Sequence, residues 1–231
     1  RGVCVASAGL HLALGLPINF LSLSADTIEE PAHKDAGSGG PSSPLGVGLT
    51  ALLAIGAGLG AGISAFASVH LLSVLQQQYA LSLTAAVALG AFVSPAQVGA
   101  RVVEMFAGRS WHPIWTMLAS TVLYFSSCLL LLIKFPLAVV ALICYGGGLG
   151  LRSVARGTLA HALTGGAGYA QLLGRIATVS LCVQAAAPWV GAVLIQEIGM
   201  TGTLLCLSLV AFANIVSDGL VFHLRRRREA R

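Results

Sequence analysis

Long apolar stretches recur along this chain, and its few charged residues lie mostly in or beside the gaps between them. A hydrocarbon core about 30 Å thick needs about 20 apolar residues at a rise of about 1.5 Å per residue. Seven stretches reach that length: 2–23, 46–75, 81–107, 111–133, 136–157, 167–195 and 200–224. The pattern therefore predicts an all-α, polytopic transmembrane helical bundle whose solvent is a lipid bilayer.

The composition agrees with this interpretation. Only 9% of the residues are charged, 56% are hydrophobic and the mean hydropathy is +0.87, whereas a soluble domain has about 25% charged residues. Runs such as 129–133 and 137–143 are apolar on every side, unlike the alternating strands of a membrane barrel. The five cysteines are scattered singly without a CxxC pair, so we expect them to pack and predict no cofactor and no metal site.

The basic residues are distributed unevenly between the gaps. Ten lie in the tail or beside the gaps near 107–111 and 158–167, whereas the alternate gaps near 76–80, 134 and 196–199 hold one lysine. Because cytoplasmic loops are rich in lysine and arginine, we predict a multi-pass protein of the cell (inner) membrane with a cytoplasmic carboxyl terminus. We interpret the run of four arginines from Arg225 as an anchor on anionic lipid rather than a nucleic-acid site.

The gaps also predict how the chain is organised. Residues 1–23 form one helix, 24–45 a cytoplasmic linker rich in Gly, Ser and Pro, 46–224 a six-helix unit and 225–231 a basic cytoplasmic tail. The chain starts with Arg1 instead of Met, directly before an apolar run. We therefore expect it to begin inside a larger protein.

One helix, a linker and six helices resemble the end of the first half and the whole second half of a major facilitator superfamily transporter. The string at 90–101, which contains Ser94-Pro95-Ala96-Gln97 and ends in Arg101, resembles the end of helix eight in bacterial members. The Gly-rich string at 145–150 resembles helix ten, and 168–175 with 184–188 resembles helix eleven. In the loop after helix eight the superfamily has an Asp that this chain lacks, and Glu104 takes its place.

The resemblance implies a secondary active transporter that moves a small solute by alternating access, is coupled to protons and works with a missing N-terminal half. The sequence itself has no GxxxxGK[ST] phosphate loop, no GxSxG and no HExxH, so we do not expect an enzyme. The alternative is a non-transporting membrane receptor or assembly protein on the same fold.

Polar side chains inside a bilayer are costly and usually face a wet path or a partner. The candidates for the substrate path are His70, Ser64, Phe66, Gln97, Gln184 and Asn214. The candidates for a gate or cytoplasmic loop are Arg101, Glu104, Arg109, Arg152, Arg156 and Arg175.

One of these candidates has two interpretations, and others need a partner. An imidazole side chain is the usual pH-sensitive group, so His70 is predicted either to couple protons or to be a structural hydrogen-bonding residue. Arg152 and Arg156 share a helix face, so each needs a carbonyl, an acid or a lipid phosphate, while Arg101 and Glu104 are spaced to pair. Asp218 lies with Asn214 in the last predicted helix and precedes the arginine tail, so it is interpreted either as a further polar residue of the path or only as an interfacial acid.

The positions of glycines and prolines predict how the helices pack and where they bend. The glycines at every second position from Gly56 to Gly62 provide small faces for close helix packing, and the glycines at 146–150 either pack or allow bending. Pro95 and Pro188 lie inside apolar stretches and should kink them.

Overall fold

The computed structural model describes residues 2, 9, 11–15, 17, 46–107, 112–164 and 168–229. The chain divides into two units, Arg1–Ser42 and Ser43–Arg231. In the first unit, His11–Gly15 forms a short π-helical segment. Most of the predicted first helix and the whole of the predicted linker 24–45 lie outside the described residues.

The second unit consists of helices. They are α1 (Val47–Tyr79), α2 (Leu83–Gly90), α3 (Val93–Ala107), α4 (Pro113–Leu132), α5 (Ala138–Thr164) and α6 (Tyr169–Glu229). Five helical segments of the described chain are long and apolar enough to cross a membrane, with Leu83–Phe106 counted as one and Tyr169–Arg225 as another. The predicted all-α architecture with membrane-length apolar helices is confirmed.

The segment that contains α2 and α3 is interrupted at Ala91 and Phe92, which form a turn. Pro95 explains the position of this break, because a proline ring clashes with the carbonyl four residues earlier, here that of Ala91. At the N-terminus of α2, the Ser82 side chain caps the helix by accepting a hydrogen bond from the Ala85 N–H at 3.2 Å. The interruption that the sequence predicts near Pro95 is therefore present.

Helix α6 is a hairpin of two helices. Gly199 has φ 72° and ψ 175°, whereas the backbone keeps helical dihedral angles through Pro188, so the break lies at the glycine and not at the proline. From the start to the end of α1, its contacts fall on later and later residues of 169–198 and on earlier and earlier residues of 200–229. They pair Gly58 with Val179, Phe66 with Gly191, Gln78 with Thr201 and Gly56 with Asp218.

Three hydrophobic clusters follow one another along this bundle. The first contains Leu49, Ile114, Leu159, Leu172 and Val221. The middle one contains Ile63, Tyr124, Tyr145 and Ala211. The third contains Leu75, Leu131, Leu142 and Leu204. Successive helices therefore run in alternating directions, and the helix ends that flank the basic gaps lie together at the first cluster.

The second half of α6 has the polarity of a membrane helix. Its exposed side is apolar, with Leu205, Leu209, Phe212 and Val216 each 45% exposed or more. Its buried side carries the polar residues Thr203, Ser208, Asn214, Ser217 and Asp218. A helix of a water-soluble protein has the opposite arrangement, so this one is built to face hydrocarbon outside and polar groups inside.

Candidate functional site

A polar cavity of about 310 Å³ lies among five helical segments of the bundle. Its lining comes from α1, α3, α4, α5 and the first half of α6. The residues are Ala61, Ser64, Gln97, Tyr124, Leu149, Arg152, Ser153, Arg156 and Gln184. Three of the predicted substrate-path residues and two of the predicted gate residues thus line one cavity.

Glycines on α5 bring α3 against the cavity. A Cβ placed on Gly150 would collide with the backbone carbonyl of Gln97, and one on Gly146 would collide with that of Val93. These glycines therefore permit direct backbone packing of α5 on α3, which sets Gln97 at the cavity wall. Of the two roles predicted for them, these contacts support packing.

Arg152 is almost completely buried between α5 and α1, with 6% of its surface exposed. Its Nη2 donates to the Gly56 carbonyl at 2.6 Å and to the Ala57 carbonyl at 3.3 Å. The guanidinium occupies the space that any side chain on Gly60 would need, so α1 must have a glycine there. Its Nη1 has no hydrogen-bond partner.

Tyr124 extends the polar wall from α4. Its ring lies beside the guanidinium of Arg152, with 5.9 Å between the Cζ atom and the ring centroid. The side chain is fully buried and its hydroxyl has no hydrogen-bond partner. A Cβ on Gly148 would lie 2.7 Å from the ring, so this glycine provides the room that the tyrosine needs.

Asp218 approaches the same face of α1 from the second half of α6 and is 1% exposed. Its Oδ1 is 2.5 Å from the position that a Cβ on Gly56 would take, and neither carboxylate oxygen has a hydrogen-bond partner. It interacts electrostatically with Arg152. The Asp218 side chain is thus packed inside the bundle and does not face outward.

Asn214 precedes Asp218 by one helical turn and faces the same interior. It is fully buried, and neither its amide nitrogen nor its amide oxygen has a partner. It is not among the residues that line the polar cavity. The four-residue spacing of Asn214 and Asp218 is the sequence signal that could have revealed this polar face.

Two of the remaining gate candidates, Arg101 and Glu104, connect α3 to neighbouring helices. Arg101 donates from Nε to the Ser153 hydroxyl at 2.9 Å, and Glu104 accepts from the Thr116 hydroxyl at 2.7 Å. Each member of the predicted Arg101–Glu104 pair therefore has a partner on another helix. Arg175 is exposed, and Arg109 lies outside the described residues.

His70 and Phe66 lie apart from the polar cavity. The His70 Nε2–H donates to the Pro188 carbonyl at 3.0 Å, and its ring centroid is 4.9 Å from that of Phe66. Phe66 borders a separate apolar cavity of about 440 Å³ between α1 and the two halves of α6. This contact matches the structural role considered for His70.

The part of the chain that is described contains no group of three His, Cys, Asp or Glu residues placed to hold a metal ion. No family model, curated protein or solved structure matches this chain. The site is therefore interpreted from its own chemistry.

Proposed function

We propose that this chain is the C-terminal portion of a secondary active transporter of the major facilitator type. It moves a small solute across the cell membrane by alternating access, coupled to protons, together with a second helical half. The observation that supports this best is a polar cavity inside helices whose outer faces are apolar.

This observation supports transport because polar groups inside a bilayer are energetically costly. Polar groups inside a bilayer are retained when they pair with one another or contact a permeating solute. Two residues that line the cavity, Tyr124 and Arg152, carry buried donor atoms without a hydrogen-bond partner. Buried polar groups of this kind mark functional sites inside membrane proteins.

Contacts near the cavity suggest how access would change. Arg101 ties α3 to α5 through Ser153, and Glu104 ties α3 to α4 through Thr116. Breaking these two contacts would remove the side-chain connections of α3 to α4 and α5. We assign Arg101 and Glu104 to the cytoplasmic gate.

Solute flux into proteoliposomes that contain the complete transporter tests the proposal. We expect flux to need a proton gradient, to collapse with a protonophore and to fall at least about tenfold in Gln97→Ala. Gln171→Ala removes an exposed glutamine from α6 and serves as the control. Absence of flux for every solute would favour the receptor or assembly alternative.

The coupling role of His70 is tested separately. If protonation of His70 drives transport, His70→Ala abolishes uptake while the protein remains in the membrane at its normal level. His223→Ala, at an exposed histidine of α6, should leave uptake unchanged. Unchanged uptake in His70→Ala would leave His70 with only its structural contact to Pro188.

A further inference from the structure

The polar cavity is lined by cationic groups and hydrogen-bond donors, and no acidic side chain is among its lining residues. Arg152 and Arg156 are four residues apart on α5 and share a face. Gln97, Gln184 and Tyr124 add two amides and a hydroxyl. We infer that the solute is an anion whose carboxylate or phosphate group binds between Arg152 and Arg156. As a statement about the transported substrate, this inference rests on the proposed function.

Two residues that line the cavity also carry buried donor atoms without a hydrogen-bond acceptor. Arg152 is 6% exposed and its Nη1 has no partner, and Tyr124 is fully buried with an unpartnered hydroxyl. An unsatisfied buried donor is costly, more so when it is charged. An oxyanion accepts several hydrogen bonds at once, so it suits a lining that is rich in donors and contains no acid.

Arg156 supplies the second cationic group. It is partly exposed, lines the same cavity and makes no hydrogen bond or ion pair within the described chain. A guanidinium presents a planar pair of donors that matches a carboxylate or a phosphate. Together with Arg152 it forms a clamp that an anion completes.

Asp218 can compensate only one of these two positive charges. Its carboxylate lies against Gly56 and is not part of the cavity lining. Two guanidinium groups and one carboxylate leave at least one positive charge at the site. A cationic solute would be repelled, whereas an anionic one would restore neutrality in a low-dielectric interior.

The cavity volume indicates how much room this half offers the solute. At about 310 Å³ it lies near the lower end of ligand pockets, which range from about 300 to 1,000 Å³. An acidic group between the arginines leaves space for a small organic body beside Leu149 and Gln184. The expected substrate class is therefore small organic acids or small phosphate esters.

Thermal unfolding of the purified chain in an uncharged detergent tests the anion site without transport. Inorganic phosphate and acetate are the probes, with chloride at equal ionic strength as the reference. We expect at least one probe to raise the unfolding temperature saturably, and Arg156→Gln to weaken its binding at least about tenfold. Lys134→Gln removes a positive charge from an exposed residue and should bind as the unmodified protein does.

Arg152→Lys provides a second variant, since it keeps the charge but loses the planar fork. We expect it to fold and to bind the probe at least about fivefold more weakly. A response to phosphate and acetate no larger than to chloride, or equal binding by Arg156→Gln, would overturn the inference. Stabilisation by phosphatidylglycerol alone, lost in Arg156→Gln, would assign the clamp to a lipid headgroup and would also overturn it.

Flux separates this inference from the proposed function. If only neutral solutes were transported, the proposed transport function would be supported and the anionic substrate would be overturned. Saturable phosphate or acetate binding without flux of any solute would support the anion site and overturn transport.

Discussion

At the scale of single residues, the interior of this bundle is organised around two glycines of α1. Gly56 has Asp218 against it and presents its carbonyl to Arg152, and Gly60 lies directly under the guanidinium. Because these two positions lack side chains, Arg152 from α5 and Asp218 from α6 can both approach α1. The two charges then share a low-dielectric environment in which their attraction is strong.

A methyl group at position 60 tests this arrangement. Gly60→Ala forces the Arg152 guanidinium away from the Gly56 carbonyl and should lower the free energy of unfolding by about 1–3 kcal/mol. Gly48→Ala is the control, because it lies on the same helix and a Cβ there meets no atom within 4 Å. Chemical denaturation in detergent measures both, and equal stability of the two variants would show that Arg152 does not need the space.

The electrostatic interaction between Asp218 and Arg152 is tested by a double-mutant cycle. Asp218→Asn leaves the buried guanidinium uncompensated and should cost about 3 kcal/mol of unfolding free energy. Adding Arg152→Gln should recover part of that loss, since the two effects are coupled. Glu197→Gln, at an exposed acid, should change stability little. Additive losses in the double variant would contradict the interaction.

At the scale of elements, hydropathy predicts where helices run better than where they bend. The predicted stretches 46–75, 81–107 and 111–133 correspond closely to Val47–Tyr79, Leu83–Phe106 and Pro113–Leu132. Pro95 coincides with a real interruption, but Pro188 does not break α6. A proline removes one backbone donor in both cases, and neighbouring helices decide whether the backbone opens or stays helical.

The hairpin at Gly199 gives a prediction at this scale. Its φ of 72° and ψ of 175° lie in a region that is accessible essentially only to glycine, so Gly199→Ala should destabilise the protein by about 1–3 kcal/mol. A Cβ at Gly199 meets no atom within 4 Å, so the loss would come from the backbone alone.

The matched control for this change is Gly219→Ala. It lies in the same element with helical backbone and also meets no atom within 4 Å. Its stability in detergent should equal or exceed that of the unmodified protein. An equally stable Gly199→Ala would mean that the two halves of α6 do not turn at this residue.

At the scale of the whole molecule, packing and charge agree on the arrangement of the helices. The first hydrophobic cluster joins helix ends beside the basic gaps, and the third joins the opposite ends beside the nearly neutral gaps. The Arg225 side chain contacts the His112 ring at the start of α4. The basic tail therefore begins at the same end of the bundle as the α3–α4 junction.

Reporter fusions test the orientation that follows from this distribution. A reporter active only in the cytoplasm should be active after residue 231 and inactive when inserted at Ala80, between α1 and α2. The reason is that arginine-rich segments stay on the cytoplasmic side. The reverse pattern would show that the arginines do not set the topology.

The sequence by itself determined the class of protein, because the length and polarity of a stretch suffice to specify a membrane-length helix. It also identified the polar residues Ser64, Gln97, Gln184, Arg152 and Arg156. It could not determine that these five line one cavity while His70 and Asn214 do not. Nor could it show that Asp218 is buried against Gly56. Those relations depend on how each helix is rotated against its neighbours, and only tertiary packing sets that rotation.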